Sequence, residues 1–163
     1  MALAVNTRKG RDAAVRAKEA LTRFEASHPR FVWFPDYSSS PYDGYVVVNG
    51  VITGIFETKS RNAGIDEQCR VVYNGKAYDE YLITAEKIKG GVAHAKAHQI
   101  NYFIIVYFEM SDCLAIFTAY DYKTGAEMDY RTEVTRTQAT INGGSAIREN
   151  AFIRLAHAKI IRL

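Results

Sequence analysis

Asp43, Glu57 and Lys59 stand where carboxylates and an ammonium are least expected. They sit at the ends of two apolar runs inside PYDGYVVVNGVITGIFETKSR, residues 41–61. The runs, 45–48 and 51–56, flank Asn49 and Gly50, and Asn-Gly between such runs is a strong hairpin signal because both residues tolerate positive φ. Apolar residues fall on both parities, so both faces of these strands should be buried. Charged groups at the ends of core strands cost stability unless they pair with one another or hold a metal.

Register decides whether the charges meet. Glu57 and Lys59 share a face because side chains alternate along a strand. A strict two-residue turn pairs Val48 with Val51, hence Asp43 with Phe56, and puts Asp43 and Glu57 on opposite faces. A three-residue loop or one bulge pairs Asp43 with Glu57 instead, and that arrangement is expected here.

The elements that must position these residues follow from periodicity. Residues 7–26 read as a helix with Ala13, Ala17, Ala20, Leu21 and Phe24 as its apolar stripe. Asn6 or Thr7 caps its start and Pro29 lies just past its end. Residues 31–34 form a short aromatic strand, and residues 35–41 a loop. Residues 60–78 read as a loop with one short strand at 69–73. A second helix is expected from about 79 to 99, burying Leu82, Ala85, Ile88, Val92 and Ala95. Gly90 and Gly91 in its middle imply close packing or a break, since each glycine costs about 1 kcal/mol relative to alanine. Residues 102–108 read as a central strand with 113–119 as its antiparallel partner. Beyond them, 133–141 reads as an edge strand, 142–145 as a turn, and 151–155 and 158–163 as closing elements. The order gives an α/β fold, a mixed central β-sheet flanked by helices.

The 163 residues suit one domain. With 48% hydrophobic and 24% charged residues, the chain should bury a sizeable core. No apolar run approaches the roughly 18 residues of a membrane span, and the start lacks a signal-peptide layout. Cys69 and Cys113 form no CxxC pair, so an intracellular, cytoplasmic protein with reduced thiols is expected. A net charge of only +3 means that any anion-binding surface must come from local clustering of Arg and Lys.

This layout resembles the PD-(D/E)xK nuclease superfamily, the restriction-endonuclease-like fold, with its α-β-β-β-α-β core. In that family an Asp opens the second strand and a Glu-x-Lys closes the third. Here those positions are Asp43 and Glu57, Thr58, Lys59, with thirteen residues between the two acids. The proline precedes the aspartate by two positions, at Pro41. A second literal match, Asp36 after Pro35, leads into Tyr-Ser-Ser-Ser rather than a strand. The resemblance spans roughly residues 7–120, leaving about 121–163 as a C-terminal extension of a single nuclease-like domain, and looks closest to small resolvase-like or phage-type members.

The resemblance implies a metal-dependent nuclease, most simply a DNA endonuclease. Asp43 and Glu57 are hard oxygen ligands that suit Mg²⁺, with Mn²⁺ able to substitute. The backbone carbonyl of Thr58 would be a further ligand. Lys59 would orient or deprotonate the attacking water and touch the scissile phosphate. Family members often add a first-helix acid, for which Glu19, bordering the apolar stripe, competes with Asp12. A solvated face shared with Arg16 and Arg23 explains either acid equally well. Lys87 would contact phosphate or simply face solvent. Cutting both strands takes two sites, so a homodimer is expected. The alternatives are a nucleic-acid-binding module of the same fold without turnover, and a structural subunit in which Lys59 is an ion-pair partner.

Other residues are weaker candidates. Ser60, Arg61 and Asn62 follow the motif directly and are placed to grip a phosphate. Arg131, Arg136 and Arg148, with 142–144, are candidate DNA contacts by position. His94 and His98 are spaced i, i+4, but HAKAH lacks the glutamate of HExxH and a third ligand.

Overall fold

The computed structural model describes residues 8–34, 42–136 and 147–163. Helix α1, Arg8–Ser27, leads into strands β1 (Phe31–Trp33), β2 (Gly44–Val48) and β3 (Val51–Arg61). A small ribbon follows, β4 (Gly64–Ile65), β5 (Val71–Tyr73) and β6 (Lys76–Tyr78). Then come β7 (Glu80–Thr84), helix α2 (Ala85–His98), β8 (Asn101–Phe108) and β9 (Cys113–Asp121). The chain closes with β10 (Ala126–Glu127), β11 (Arg131–Arg136), β12 (Ile147–Arg154) and β13 (Ala158–Arg162).

The central sheet runs β1-β2-β3-β8-β9, with β10 and β13 both pairing along β9. It is mixed: β3 and β8 are parallel, and every other pair is antiparallel. A parallel pair needs a long crossover, and residues 62–100 supply it.

The two parities of the central strands serve two cores. Phe56, Ile105 and Tyr107 pack with Ala20 and Phe24 of α1 on one face. Ile55, Ile104 and Val106 pack with Ile88, Val92 and Ala95 of α2 on the other. The continuous apolar runs thus fill both faces, as their patterning predicts.

The protein is mixed α/β but richer in strands than the sequence suggests. The second helix begins at Ala85, not near Asp79. Residues 80–84 are instead a strand, in which Tyr81 and Ile83 alternate inward at 4% and 2% exposure. That period of two is the strand signal, and it overrides the helical match of Leu82. β7 pairs with β12, and β12 with β11, making a second three-stranded sheet that shares the α2-side core. Residues 60–78 hold the tail of β3 and the β4-β5-β6 ribbon rather than one short strand. β11 is an edge strand as expected, whereas residues 137–146, with the predicted turn, lie outside the described residues. Residues 147–163 supply β13 to the central sheet and β12 to the second. No described helix is long and apolar enough to cross a membrane.

Candidate active site

The hairpin solves its register problem with a bulge. Asn49 and Gly50 make a two-residue turn at φ 52° and 75°, with Val48 opposite Val51. The pairing then slips by one: Val47 opposes Ile52 but Val46 opposes Gly54, leaving Thr53 as the extra residue. Gly44 therefore faces Phe56, one position beyond the strict-turn register, and Asp43 is carried to the Glu57 end of β3.

Asp43 is clamped by its backbone. Its N–H donates to the Phe56 carbonyl at 3.0 Å, and its carbonyl accepts from Phe34 N–H at 2.9 Å. Gly44 permits this closeness, since a Cβ there would lie 2.3 Å from both the Val32 carbonyl oxygen and the Phe56 ring. The carboxylate accepts from Thr58 twice at Oδ2, from N–H at 2.6 Å and from Oγ1 at 2.9 Å.

Glu57 is 4% exposed, a buried carboxylate on the α2 face of the sheet. Two ammonium groups meet its Oε1, Lys59 Nζ at 2.7 Å and Lys87 Nζ of α2 at 3.5 Å. Burial, then the negative charge of Glu57, push the Asp43 carboxyl above the usual carboxylate range, against the opposing pull of Thr58 and Lys59. Burial and the Glu57 charge also raise the phenols of Tyr42 and Tyr102. A cation beside Asp43 would offset both the burial of its carboxylate and the charge of Glu57.

A divalent ion suits this donor set. Among the described residues no group of three or more His, Cys, Asp or Glu comes close enough to hold a metal. Mg²⁺ does not demand one, because it keeps several waters and takes one or two carboxylates. Asp43 Oδ1 and Glu57 Oε2 accept no hydrogen bond among the described residues, so each acid keeps an oxygen for a ligand. In a strand the N–H and C=O of one residue point to the same side. Since Thr58 N–H points to Asp43, its carbonyl opens on the same edge.

The other candidates separate. Lys87 joins Glu57. Ser60 Oγ donates to Glu109 Oε1 at 3.1 Å, and Arg16 Nε reaches Glu109 Oε2 at 3.2 Å. Arg61 turns back to the Ser60 carbonyl and lies over the Tyr81 ring. The Tyr81 hydroxyl is buried with no hydrogen-bond partner among the described residues. Asn62 is exposed. Glu19 and Asp12 are exposed on α1, which packs on the opposite face of the sheet from Glu57, so the structure does not bring a first-helix acid to Glu57. Arg131 pairs with Glu80 and Glu133 and stacks on Phe152, which makes it a tie within the second sheet. Arg148 is exposed on β12, Arg136 ends β11, and 142–144 and Asp36 lie outside the described residues. His94 and His98 stack face to face at 4.1 Å, and the His98 Nδ1 is engaged by the His94 carbonyl, with no third ligand among the described residues. Cys69 is exposed and Cys113 buried, both free thiols.

Two participants escaped the sequence. Glu109 looked like a turn residue, yet it ties the end of β3 to α1. Tyr42 lay between the expected loop and the first hairpin strand with no role assigned, yet it packs against His94 at 4.8 Å. The stripe Lys87, Gly91, His94, His98 at helical spacing was the available signal that one face of α2 looks toward the site.

Comparison of the chain with protein-family models, with curated proteins and with solved structures finds no match.

Proposed function

We propose that this chain is a metal-dependent nuclease of the PD-(D/E)xK type, a DNA endonuclease that hydrolyses phosphodiester bonds. The observation that carries the proposal is the bulged register, which delivers Asp43 to the Glu57, Thr58, Lys59 end of β3. The order α1, β1-β2-β3 meander, α2, β8, with β8 parallel to β3, supports the same assignment.

Asp43, Glu57 and the Thr58 carbonyl would hold Mg²⁺, with Mn²⁺ as a substitute. The bound ion supplies a water of lowered pKa and neutralises charge developing on the phosphate. Thr58 fixes the Asp43 carboxylate, so one oxygen is held while the other stays available. Lys59 lies within hydrogen-bonding reach of Glu57 and orients the attacking water beside it. Lys87, half exposed above Glu57, meets the incoming phosphate.

One observation favours a binding module without turnover. Lys59 and Lys87 both pair with Glu57, as in a structural ion-pair network. Supercoiled plasmid and a four-way junction, incubated with Mg²⁺ or Mn²⁺, separate the two. Cleavage abolished by EDTA, by Lys59→Ala and by Asp43→Ala is the expected outcome. DNA binding without cleavage under every condition would establish the module.

A further inference from the structure

The helix face that carries Lys87 continues away from the acids as an aromatic track. Lys87, Gly91, His94 and His98 fall within one narrow stripe of α2, since steps of four, three and four residues return to the same side. Each meets something from the sheet side or from its neighbour. Lys87 reaches Glu57. Gly91 lies against the Tyr102 ring, where a Cβ would come within 2.1 Å of a ring carbon. His94 packs on Tyr42 with centroids 4.8 Å apart, and His98 stacks on His94 at 4.1 Å with planes 19° apart. Tyr102 backs Tyr42 edge-on at 6.3 Å and donates its hydroxyl to the Lys87 carbonyl.

Three rings thus extend in sequence from the residue adjoining Asp43. The first is half-buried, the second partly exposed and the third exposed. His94 and His98 stack outside the buried face of α2, which is Ala85, Ile88, Gly91, Val92 and Ala95. His98 covers one face of His94, and Tyr42 packs on His94 with planes 54° apart, so the face this series presents to solvent is that of His98 at its end. Such a face suits an unstacked base, and every base has a π-face to offer. Paired bases are already stacked on both sides, so a duplex has none to give without local opening.

We propose that His98, backed by His94 and Tyr42, offers a stacking face for an unpaired base of the strand entering the site, so that the preferred substrate carries unpaired nucleotides near the scissile phosphate. This inference rests on the nuclease proposal for the position of the phosphate. The platform supplies affinity by stacking, while Lys87 at the near end of the stripe supplies the charge contact.

The test uses the full chain with Lys59→Ala as a non-cutting background. The probes are a short single strand carrying 2-aminopurine and a blunt duplex of the same sequence. Binding of the single strand should quench 2-aminopurine. His98→Ala should remove the quenching and weaken single-strand binding about tenfold, the scale of one lost base stack. Duplex affinity should change by less than about twofold, and His98→Phe should restore quenching and affinity. Single-strand affinity unchanged by His98→Ala, or restored by His98→Lys and not by His98→Phe, overturns the platform. A parallel plasmid assay with the Lys59 protein keeps the two proposals apart. Cleavage with no His98 effect on stacking retains the nuclease and removes the platform, whereas His98-dependent quenching with no cleavage retains the platform and removes the nuclease.

Discussion

Thr58 holds Asp43 by two hydrogen bonds to a single oxygen, from its N–H at 2.6 Å and its hydroxyl at 2.9 Å. Even so, burial and the charge of Glu57 outweigh these bonds and raise the Asp43 carboxyl above its ordinary 3.8. A carboxyl raised on folding favours the folded state while protonated. That contribution is full below pH 3.8 and is lost as pH climbs through the folded value. At neutral pH an ionised Asp43 is therefore a strain on the fold. Asp43→Asn keeps an acceptor for Thr58 and removes the charge. It should raise Tm at pH 7 while abolishing cleavage, a rise of about 2–4 °C for each kcal/mol relieved. Mn²⁺ should raise the Tm of the wild-type chain and leave the variant unmoved. Melting curves from pH 4 to 8, with and without Mn²⁺, check both; a lower Tm for Asp43→Asn at pH 7 would contradict the account.

Lys59 is asked to do two jobs, and its removal separates them. Glu57 is buried and, among the described residues, would keep only Lys87, 3.5 Å away. Lys59→Ala should cost about 1–3 kcal/mol, the scale of an incompletely paired buried group. It should also cut the nicking rate about 100-fold or more, as loss of a positioned proton-handling group does. Adding Glu57→Gln to Lys59→Ala should recover much of the stability and none of the activity. Urea midpoints and plasmid nicking rates on the wild type and both variants measure this directly.

Much of the site was legible because its signal is local. Asn49 and Gly50 announce the turn, the alternation of β3 puts Glu57 and Lys59 on one face, and their burial mismatch marks them. Even the bulge follows from requiring Asp43 to approach Glu57. Long-range pairings left no such trace. Residues 80–84 match the helical stripe of α2 through Leu82, and their alternation gains its meaning only from pairing with β12, where Asn150 stands opposite Thr84. Glu109 is anonymous in sequence, since its partners Ser60 and Arg16 are 49 and 93 residues away. The face of α1 was readable from Ala20 and Phe24, but which side of the sheet it would cover was not. Hence Glu19 was a fair candidate for a site that lies on the other side.

Helix α1 is tied to the β8–β9 connection by Arg16 to Glu109 and by a forked pair from Arg23 to Asp112 at 2.7 and 3.0 Å. The second pair has better geometry but stands half in water, at 51% and 45% side-chain exposure. Exposed pairs contribute about 0.2–1 kcal/mol. A double-mutant cycle of Arg23→Ala with Asp112→Ala should fall in that range and shrink in high salt. Glu109 is only 10% exposed and also accepts from Ser60, so Glu109→Ala should destabilise more than either Arg23 or Asp112 truncation. It should also slow cleavage, since it loosens the strand that carries Lys59. A coupling above about 2 kcal/mol for the Arg23 pair would show that α1 is held by charge rather than by Ala20 and Phe24.

Gly90 and Gly91 are neighbours in α2 with opposite demands. A Cβ at Gly90 meets nothing within 4 Å, whereas one at Gly91 would lie 2.1 to 2.6 Å from three carbons of the Tyr102 ring. Gly90→Ala should therefore stabilise the chain by up to about 1 kcal/mol, the ordinary helical gain of alanine over glycine. Gly91→Ala gains the same propensity but must displace a buried ring, and overpacking of this kind costs about 1–3 kcal/mol. The ring cannot give way freely, because Tyr102 is 1% exposed and its hydroxyl donates to the Lys87 carbonyl at 3.2 Å. Displacing Tyr102 should also shift Lys87 away from Glu57. Urea denaturation should order the three proteins Gly90→Ala, wild type, Gly91→Ala from most to least stable. Truncating the ring as well, in Gly91→Ala with Tyr102→Leu, should cost less than the sum of the two single changes, because the clash that Gly91→Ala creates is with the atoms Tyr102→Leu removes.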